Sequence, residues 1–376
     1  MEKYSAYRDP GTGIQASSVL KYVPPLGSET LIKFSLPLAY TLGVIRTTLV
    51  LLLALLYTVL VDGICLLLTP IPPLQRLAAH VLTALLARFA LFILGLLWIP
   101  TETVTRKRGR LAESKESWSP GAGDLIVSNW ISWVELLWLS YRFNPIFVLP
   151  VPSESPSAPS APAPQATGRR TGTGSAAVTP AANRPSTKRI QIAGFRKVSL
   201  LSLICFTGRV PVPSHASPSL TLEDIRGSAG RPVVVFPECT TSNGRGLLRF
   251  ADVFKGRPVP TKGYSVFVMC ARCDPPTALS PSLSLSIPTA LNPLAHLFTL
   301  ASSFKPLTLS VRLLAPSEGP SAPMFMPSEI VGPDVGEDTL SASCAGLIAQ
   351  LGKFKKLSLG WEDKVTFLEF YREKRR

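Results

Sequence analysis

The stretch Pro232-Val233-Val234-Val235-Phe236-Pro237 passes directly into Glu238-Cys239-Thr240-Thr241-Ser242-Asn243-Gly244-Arg245-Gly246. Three valines and a phenylalanine with no polar alternation read as a strand buried on both faces, as in a parallel sheet covered by helices. The strand ends in a polar, glycine-containing loop, and in open α/β sheets ligand sites gather at the carboxyl ends of strands. Backbone N–H groups of a Gly-rich turn, with Thr and Ser hydroxyls and a nearby Arg, can surround a phosphate, and a carboxylate can orient the donors. By chemistry alone this fits any phosphate loop.

Working outward, Leu125-Ile126-Val127 reads as another short buried strand, and Tyr264–Ala271 and Ser310–Leu314 as two more. Val134–Tyr141 has helical apolar spacing, and the chain from Ile190 to Pro213 leads back toward the valine strand. Strands separated by helical stretches predict an α/β domain with a mainly parallel sheet flanked by helices. Its expected bounds are 100–150 and 189–376. Between them, 151–188 is dominated by Ser, Pro, Ala, Gly and Thr, which bury too little apolar surface to order, and it reads as a disordered insertion.

Two apolar stretches precede this domain, Val44–Leu68 and Leu77–Trp98, separated by the turn Thr69-Pro70-Ile71-Pro72-Pro73. Each approaches the length needed to cross roughly 30 Å of hydrocarbon. They predict a membrane helical hairpin over 44–99 after a cytosolic segment, 1–43, that lacks a cleavable signal peptide. Asp62, His80 and Arg88 are costly at mid-bilayer, so a spanning and a re-entrant hairpin both remain open. The basic run Arg106, Lys107, Arg108 and Arg110 puts the flanks on the cytosolic side.

Mean hydropathy is +0.27, high for a chain of 376 residues with only 17% charged side chains, and this agrees with a membrane location. Lys and Arg exceed Asp and Glu by 39 to 24, which suits anionic headgroups or a phosphorylated substrate. No stretch interleaves basic residues with stacking aromatics, so nucleic acid is not an expected partner. The six cysteines follow no disulfide spacing, and the lone pair Cys270 and Cys273 lacks a second ligand pair for zinc, so no metal or cofactor is expected. The tail Arg372-Glu373-Lys374-Arg375-Arg376 is open to three readings: a headgroup contact, a basic retrieval signal or a solvated face.

The segment Phe236–Gly246 resembles the third signature block of the PlsC-type, or 1-acylglycerol-3-phosphate, acyltransferases. Asn292-Pro293-Leu294-Ala295-His296-Leu297-Phe298 and the closing Trp361–Arg376 are most similar to the fungal lysophosphatidic acid:oleoyl-CoA acyltransferases. The resemblance implies a PlsC-like fold and transfer of an acyl group from acyl-CoA, as co-substrate, to a lysophospholipid. It further implies conversion of lysophosphatidic acid to phosphatidic acid in glycerolipid synthesis, at the endoplasmic reticulum membrane or lipid droplet with the catalytic domain cytosolic. It assigns Glu238, Thr240, Thr241, Asn243, Gly244 and Arg245 to substrate binding. Arg209, in Ile204–Val210, takes the place of the basic residue that holds the lysolipid phosphate.

In that family a His in an NHxSxxD block is the general base and its Asp fixes the imidazole. Here the block is Ser128-Asn129-Trp130-Ile131-Ser132-Trp133-Val134-Glu135. Trp130 stands in the His slot, and an indole donates but cannot accept a proton; Glu135 keeps a carboxylate in the partner position. Three accounts stay open. Glu135 acts as base with a raised pKa, a histidine reaches in from elsewhere, or the protein binds lipid without turnover as a regulator or scaffold. Of the three histidines, His80 lies in the hairpin, His296 in a helix-like segment and His215 in a loop. The family's Glu-Gly-Thr is Glu238-Cys239-Thr240 here, so a reshaped loop is expected, because Cys takes positive φ at a cost.

Overall fold

The computed structural model describes residues 7–20, 29–107, 110–156, 189–213, 219–277, 280–331 and 337–374. The valine run forms strand β6 (Val233–Val235) near the middle of an eight-stranded sheet, in the order β2-β1-β9-β8-β3-β6-β4-β5. The other strands are β1 (Thr101–Lys107), β2 (Arg110–Glu113), β3 (Leu125–Ser128), β4 (Ile146–Pro152), β5 (Ile192–Val198), β8 (Val266–Cys273) and β9 (Leu309–Leu314). β8, β3, β6 and β4 run parallel to one another, and β1 is parallel to β9. Antiparallel pairs β1–β2, β8–β9 and β4–β5 complete the sheet, so it is parallel at its centre and mixed outside it.

Side chains alternate across the pleat and divide the core in two. Ile126, Val234 and Met269 face one cluster together with Leu91, Trp130 and Leu136. Leu125, Val127, Val233 and Val235 face the other, with Leu347 and Trp361. The first face carries α4 (Val134–Phe143), α5 (Leu200–Phe206) and α7 (Leu294–Ala301). The second carries α6 (Leu222–Gly227), α8 (Thr339–Gly352) and α9 (Trp361–Glu373). A small separate sheet pairs β7 (Gly246–Leu247) with β10 (Lys355–Lys356).

The apolar hairpin covers the first face. Helix α1 (Glu29–Tyr57) continues through a π-helical stretch, Thr58–Ile64, into α2 (Cys65–Leu67); after the Pro-rich turn, α3 (Pro72–Ile93) returns. The first helix thus begins fifteen residues before the expected boundary at 44, because Pro37 is accommodated inside it and Thr41 bonds the carbonyl that precedes it by a turn. Asp62 and Gly63 widen the helix rather than break it. Leu36–Ile64 and Pro72–Ile93 are long and apolar enough to cross a membrane.

Both helices lie along the domain. Near one end Tyr40 stacks on Phe298 at 6.0 Å, and Arg46 donates to the carbonyls of Ala301, the last residue of α7, and of Ser303 just beyond it. Near the other, Arg76 at the start of α3 sits against Gly230, where an added Cβ would meet its guanidinium at 2.7 Å. The outward faces of α1 and α3 expose Leu52, Leu55, Leu85, Phe89 and Phe92, and Trp98 just beyond α3 is 79% exposed.

β4 extends through Val151 and Pro152, which pair with Gly194 and Ile192 of β5, so the Pro/Ser-rich segment connects two neighbouring antiparallel strands. The expected disorder of that segment falls mainly on residues 157–188, outside the described residues. His215, Arg108, Arg375 and Arg376 lie outside them too.

Candidate functional site

β3 and β6 are neighbours, so the loops leaving their carboxyl ends meet. The β3 loop holds Asn129–Trp133 and leads into α4; the β6 loop holds Phe236–Arg245. Asn129 closes on β8 by exchanging two hydrogen bonds with the main chain of Ala271, 3.0 and 2.9 Å long. That anchor leaves the next two amides free to bind carboxylates.

Trp130 N–H donates to Glu238 Oε2 at 2.7 Å and Ile131 N–H to Glu135 Oε1 at 2.8 Å. Glu238 also accepts from Leu248 N–H at 2.9 Å, so both its oxygens are engaged. Glu135 Oε2 is buried with no partner. Both side chains are fully buried. Burial pushes Glu135 well above the usual carboxylate range, the Glu238 charge pushes it further, and the N–H groups of Ile131 and Ser132 oppose the shift. Glu238 is pushed up to about 8 by burial, against the pull of its two N–H donors and of Lys364.

Trp130 is packed inside the domain. Its ring is buried and stacked on Phe236 at 5.0 Å and Phe206 at 6.5 Å, and its indole N–H has no partner. His296 supplies no base either. Its Nδ1 accepts from the Trp133 indole at 2.9 Å, its Nε2 faces the Ser282 carbonyl at 3.1 Å, and burial lowers it to about 4. The acceptor role at Nδ1 assigns the proton to Nε2.

The residues read as a phosphate loop divide in two. Thr240, Thr241 and Asn243 are buried and bonded inward: Thr240 Oγ1 donates to the Arg209 carbonyl at 2.7 Å, Thr241 Oγ1 to the Leu285 carbonyl at 2.5 Å, and Asn243 Nδ2 to the Gln15 and Ser18 carbonyls. They stitch the loop to the chain around it. Arg209 and Arg245 remain exposed, and Gly244 turns the chain at φ 74° with Ile131 and Cys273 close by. Cys239 adopts φ 58°, a left-handed conformation that a glycine takes at less cost. Its buried thiol is held above the ordinary range by burial and by the charges of Glu362 and Glu238.

Arg209 lines a cavity of about 530 Å³ between α1 and α3 on one side and α4, α5 and α7 on the other. Leu53, Ala87, Trp133, Leu137, Leu201 and Leu297 form its walls, and among the described residues that line it Arg209 alone is charged. Its size falls within the ordinary range for ligand sites of roughly 300–1,000 Å³. Glu135 and Glu238 are fully buried and neither lines the cavity: backbone N–H groups of the β3 loop hold both, while Arg209 lines the cavity and accepts through its main-chain carbonyl from Thr240. Among the described residues no group of three or more His, Cys, Asp or Glu is placed to hold a metal.

Two contributors escaped the sequence reading. Lys364 of α9 donates to Thr240 Oγ1 and to the Thr241 carbonyl; its signal was a lysine on an apolar helical face, between Trp361 and Phe367. Residues 7–20 cross the loop, with Ala16 buried against Leu248 and Leu357, and Asp9 tied to Ser358; their polar composition carried no such signal. In comparisons with known proteins, no family model matches the chain, and no curated protein or solved structure matches it significantly.

Proposed function

We propose that the chain is a membrane-bound, acyl-CoA-dependent acyltransferase that converts lysophosphatidic acid to phosphatidic acid. The observation that carries this reading is the apolar cavity between hairpin and domain with Arg209 as the one charged residue among its described lining. An acyl chain fits such walls, and Arg209 suits a phosphomonoester because its planar fork meets phosphate oxygens bidentately. The resemblance of Phe236–Gly246 to the acyltransferase block supports the reaction class.

In the reaction the glycerol hydroxyl attacks the thioester carbonyl, the C–S bond breaks, and the hydroxyl proton ends on the coenzyme A thiol. Glu135 is the proposed proton acceptor, through the Oε2 that no protein group occupies; it is fully buried and does not line the cavity, so the hydroxyl reaches it only when the loop around it opens. Burial favours the protonated form of Glu135, which lowers its ionised, competent fraction relative to an ordinary carboxylate.

The hairpin lies in one leaflet. Arg76 and Gly230 meet at the far end of the hairpin, so a hairpin standing across the bilayer would carry polar parts of the domain into the hydrocarbon. Exposed Leu52, Leu55, Phe89 and Phe92 meet lipid tails, and Trp98 sits at headgroup level. The endoplasmic reticulum or lipid droplet surface, with the domain cytosolic, is the proposed location.

One observation favours a second reading, a lipid-binding relative without turnover: the stacked, buried indole of Trp130 occupies the slot of the general base. Labelled oleoyl-CoA, added to membranes lacking endogenous lysophosphatidic acid acyltransferase but carrying this chain, separates the two. Phosphatidic acid above the vector control supports the enzyme, and lysophosphatidylcholine and lysophosphatidylethanolamine as acceptors define the headgroup. No incorporation from folded, membrane-bound protein selects the binding reading.

A further inference from the structure

The C-terminal helix reaches the motif loop through one buried cation. Lys364 is 1% exposed, and its Nζ donates to Thr240 Oγ1 at 2.8 Å and to the Thr241 carbonyl at 2.6 Å. Thr240 Oγ1 donates in turn to the main-chain carbonyl of Arg209 at 2.7 Å. A hydroxyl has one proton to give. An ammonium offers only protons, so Lys364 fills the acceptor side of Thr240 and turns its proton toward Arg209.

Arg209 needs this hold. It follows Gly208, which turns the chain at φ 85° as it leaves α5, and its own N–H bonds the Phe206 carbonyl at 2.9 Å. The Thr240 hydroxyl pins the opposite side of the same residue. With both sides fixed, the Arg209 side chain leaves from a defined backbone root in the cavity lining. A fully buried lysine is costly to retain, and burial lowers Lys364 to about 7, with the Glu238 charge opposing.

We propose that Lys364 is a positioning residue for headgroup recognition: through Thr240 it fixes the backbone of Arg209, and so places the guanidinium for the phosphomonoester of a lysophospholipid. This rests on the lysophospholipid reading above but not on turnover. It predicts that Lys364 sets selectivity for the phosphate and leaves the grip on the acyl chain unchanged.

The test is equilibrium binding of radiolabelled oleoyl lysophosphatidic acid to the full-length protein in detergent micelles, with mono-oleoylglycerol as the same chain lacking phosphate. Arg209→Ala, Thr240→Val and Lys364→Met are each expected to weaken lysophosphatidic acid binding about tenfold, the worth of one charge-assisted contact. Mono-oleoylglycerol binding stays within about twofold of wild type, since uncharged contacts are untouched. Thr240→Ser keeps the hydroxyl and retains wild-type affinity, and the double variant Thr240→Val with Lys364→Met binds no worse than either single one. If Lys364→Met fails to fold, the Thr240→Val and Thr240→Ser pair decides. Normal phosphate affinity in folded Thr240→Val or Lys364→Met, while Arg209→Ala loses it, overturns the relay and leaves the lysophospholipid reading standing. Equal loss for both lipids also overturns it, as a merely structural effect. Unchanged affinity in Arg209→Ala removes the reading itself, and the relay with it.

Discussion

The segments after β3 and β6 leave adjacent parallel strands at the same end of the sheet, and each carries one fully buried glutamate, Glu135 in the first turn of α4 and Glu238 in the β6 loop, yet the two carboxyl groups do different work. Glu238 is saturated: two backbone N–H groups from different loops converge on it, with the Lys364 charge nearby. Glu135 accepts at one oxygen and leaves the other empty. A buried polar atom without a partner costs about 1–3 kcal/mol, so a group that keeps one is a candidate for chemistry. Of two buried glutamates, the saturated one reads as a cross-link and the unsaturated one as a reagent.

The largest effect that can break this comparison is on stability. Glu238→Ala strands two buried N–H groups, while Lys364 keeps its bonds to Thr240 and Thr241, and is expected to cost about 2–5 kcal/mol in chemical denaturation of the detergent-solubilised protein. Glu135→Ala removes the acceptor of the Ile131 N–H and a carboxylate already held partnerless at Oε2, and should cost less than Glu238→Ala; equal losses would erase the distinction. Next, Glu135→Gln is expected to lower oleoyl transfer roughly a hundredfold while shifting stability by less than about 1 kcal/mol. Undiminished transfer in this variant removes Glu135 from the chemistry.

A pH series sharpens the same contrast. Wild-type transfer should keep rising with pH beyond the range in which an ordinary carboxylate has finished titrating, because Glu135 ionises late, and a profile flat from pH 5 upward, about where an ordinary glutamate is fully ionised, would contradict this. For stability the sign follows from proton binding. Between the ordinary 4.5 and about 8 the folded state keeps the Glu238 proton that the unfolded state has lost. Stability therefore falls as pH rises through that window, by at most about 1.4 kcal/mol per unit. Lys364 acts oppositely, from about 7 to 10.5, where the unfolded chain holds the proton and the folded one does not, so stability is regained. Glu238→Gln should flatten the first slope. The smallest effect belongs to Cys239→Gly, in which relief of about 1 kcal/mol of left-handed strain is offset by lost burial and greater chain freedom; a net change within about 1 kcal/mol is expected by thermal denaturation.

Much of this architecture was legible because local pattern and tertiary role coincide. Val233–Val235 and Leu125–Val127 are apolar on both faces and are the central strands; Val134–Tyr141 has helical spacing and is α4. The start of α1 at Glu29 was missed because Pro37 and Gly43 resemble punctuation, whereas Gly43 allows α1 to approach Ser302 and Phe298. The site was half legible. Residue types marked Thr240, Thr241 and Asn243 as anion ligands, but a hydroxyl or amide suited to phosphate is equally suited to a carbonyl, and only the fold shows that Arg209, Leu285, Gln15 and Ser18 supply those carbonyls. His296 had no local sign of its bond to Trp133, since the two are 163 residues apart.

The central claim, that the cavity between hairpin and domain holds the lysophospholipid chain, is tested most directly by photocrosslinking. A lysophosphatidic acid with a diazirine in its acyl chain is bound to the full-length protein in membranes and irradiated, and the labelled residues are mapped by mass spectrometry. The account predicts adducts at Leu53, Leu137 and Leu201, which line the cavity, and their loss on competition with unlabelled lysophosphatidic acid or on filling the wall with Ala87→Phe. Adducts confined to the outward residues Leu52, Leu55 and Phe89, insensitive to competitor and to the filled wall, would contradict it.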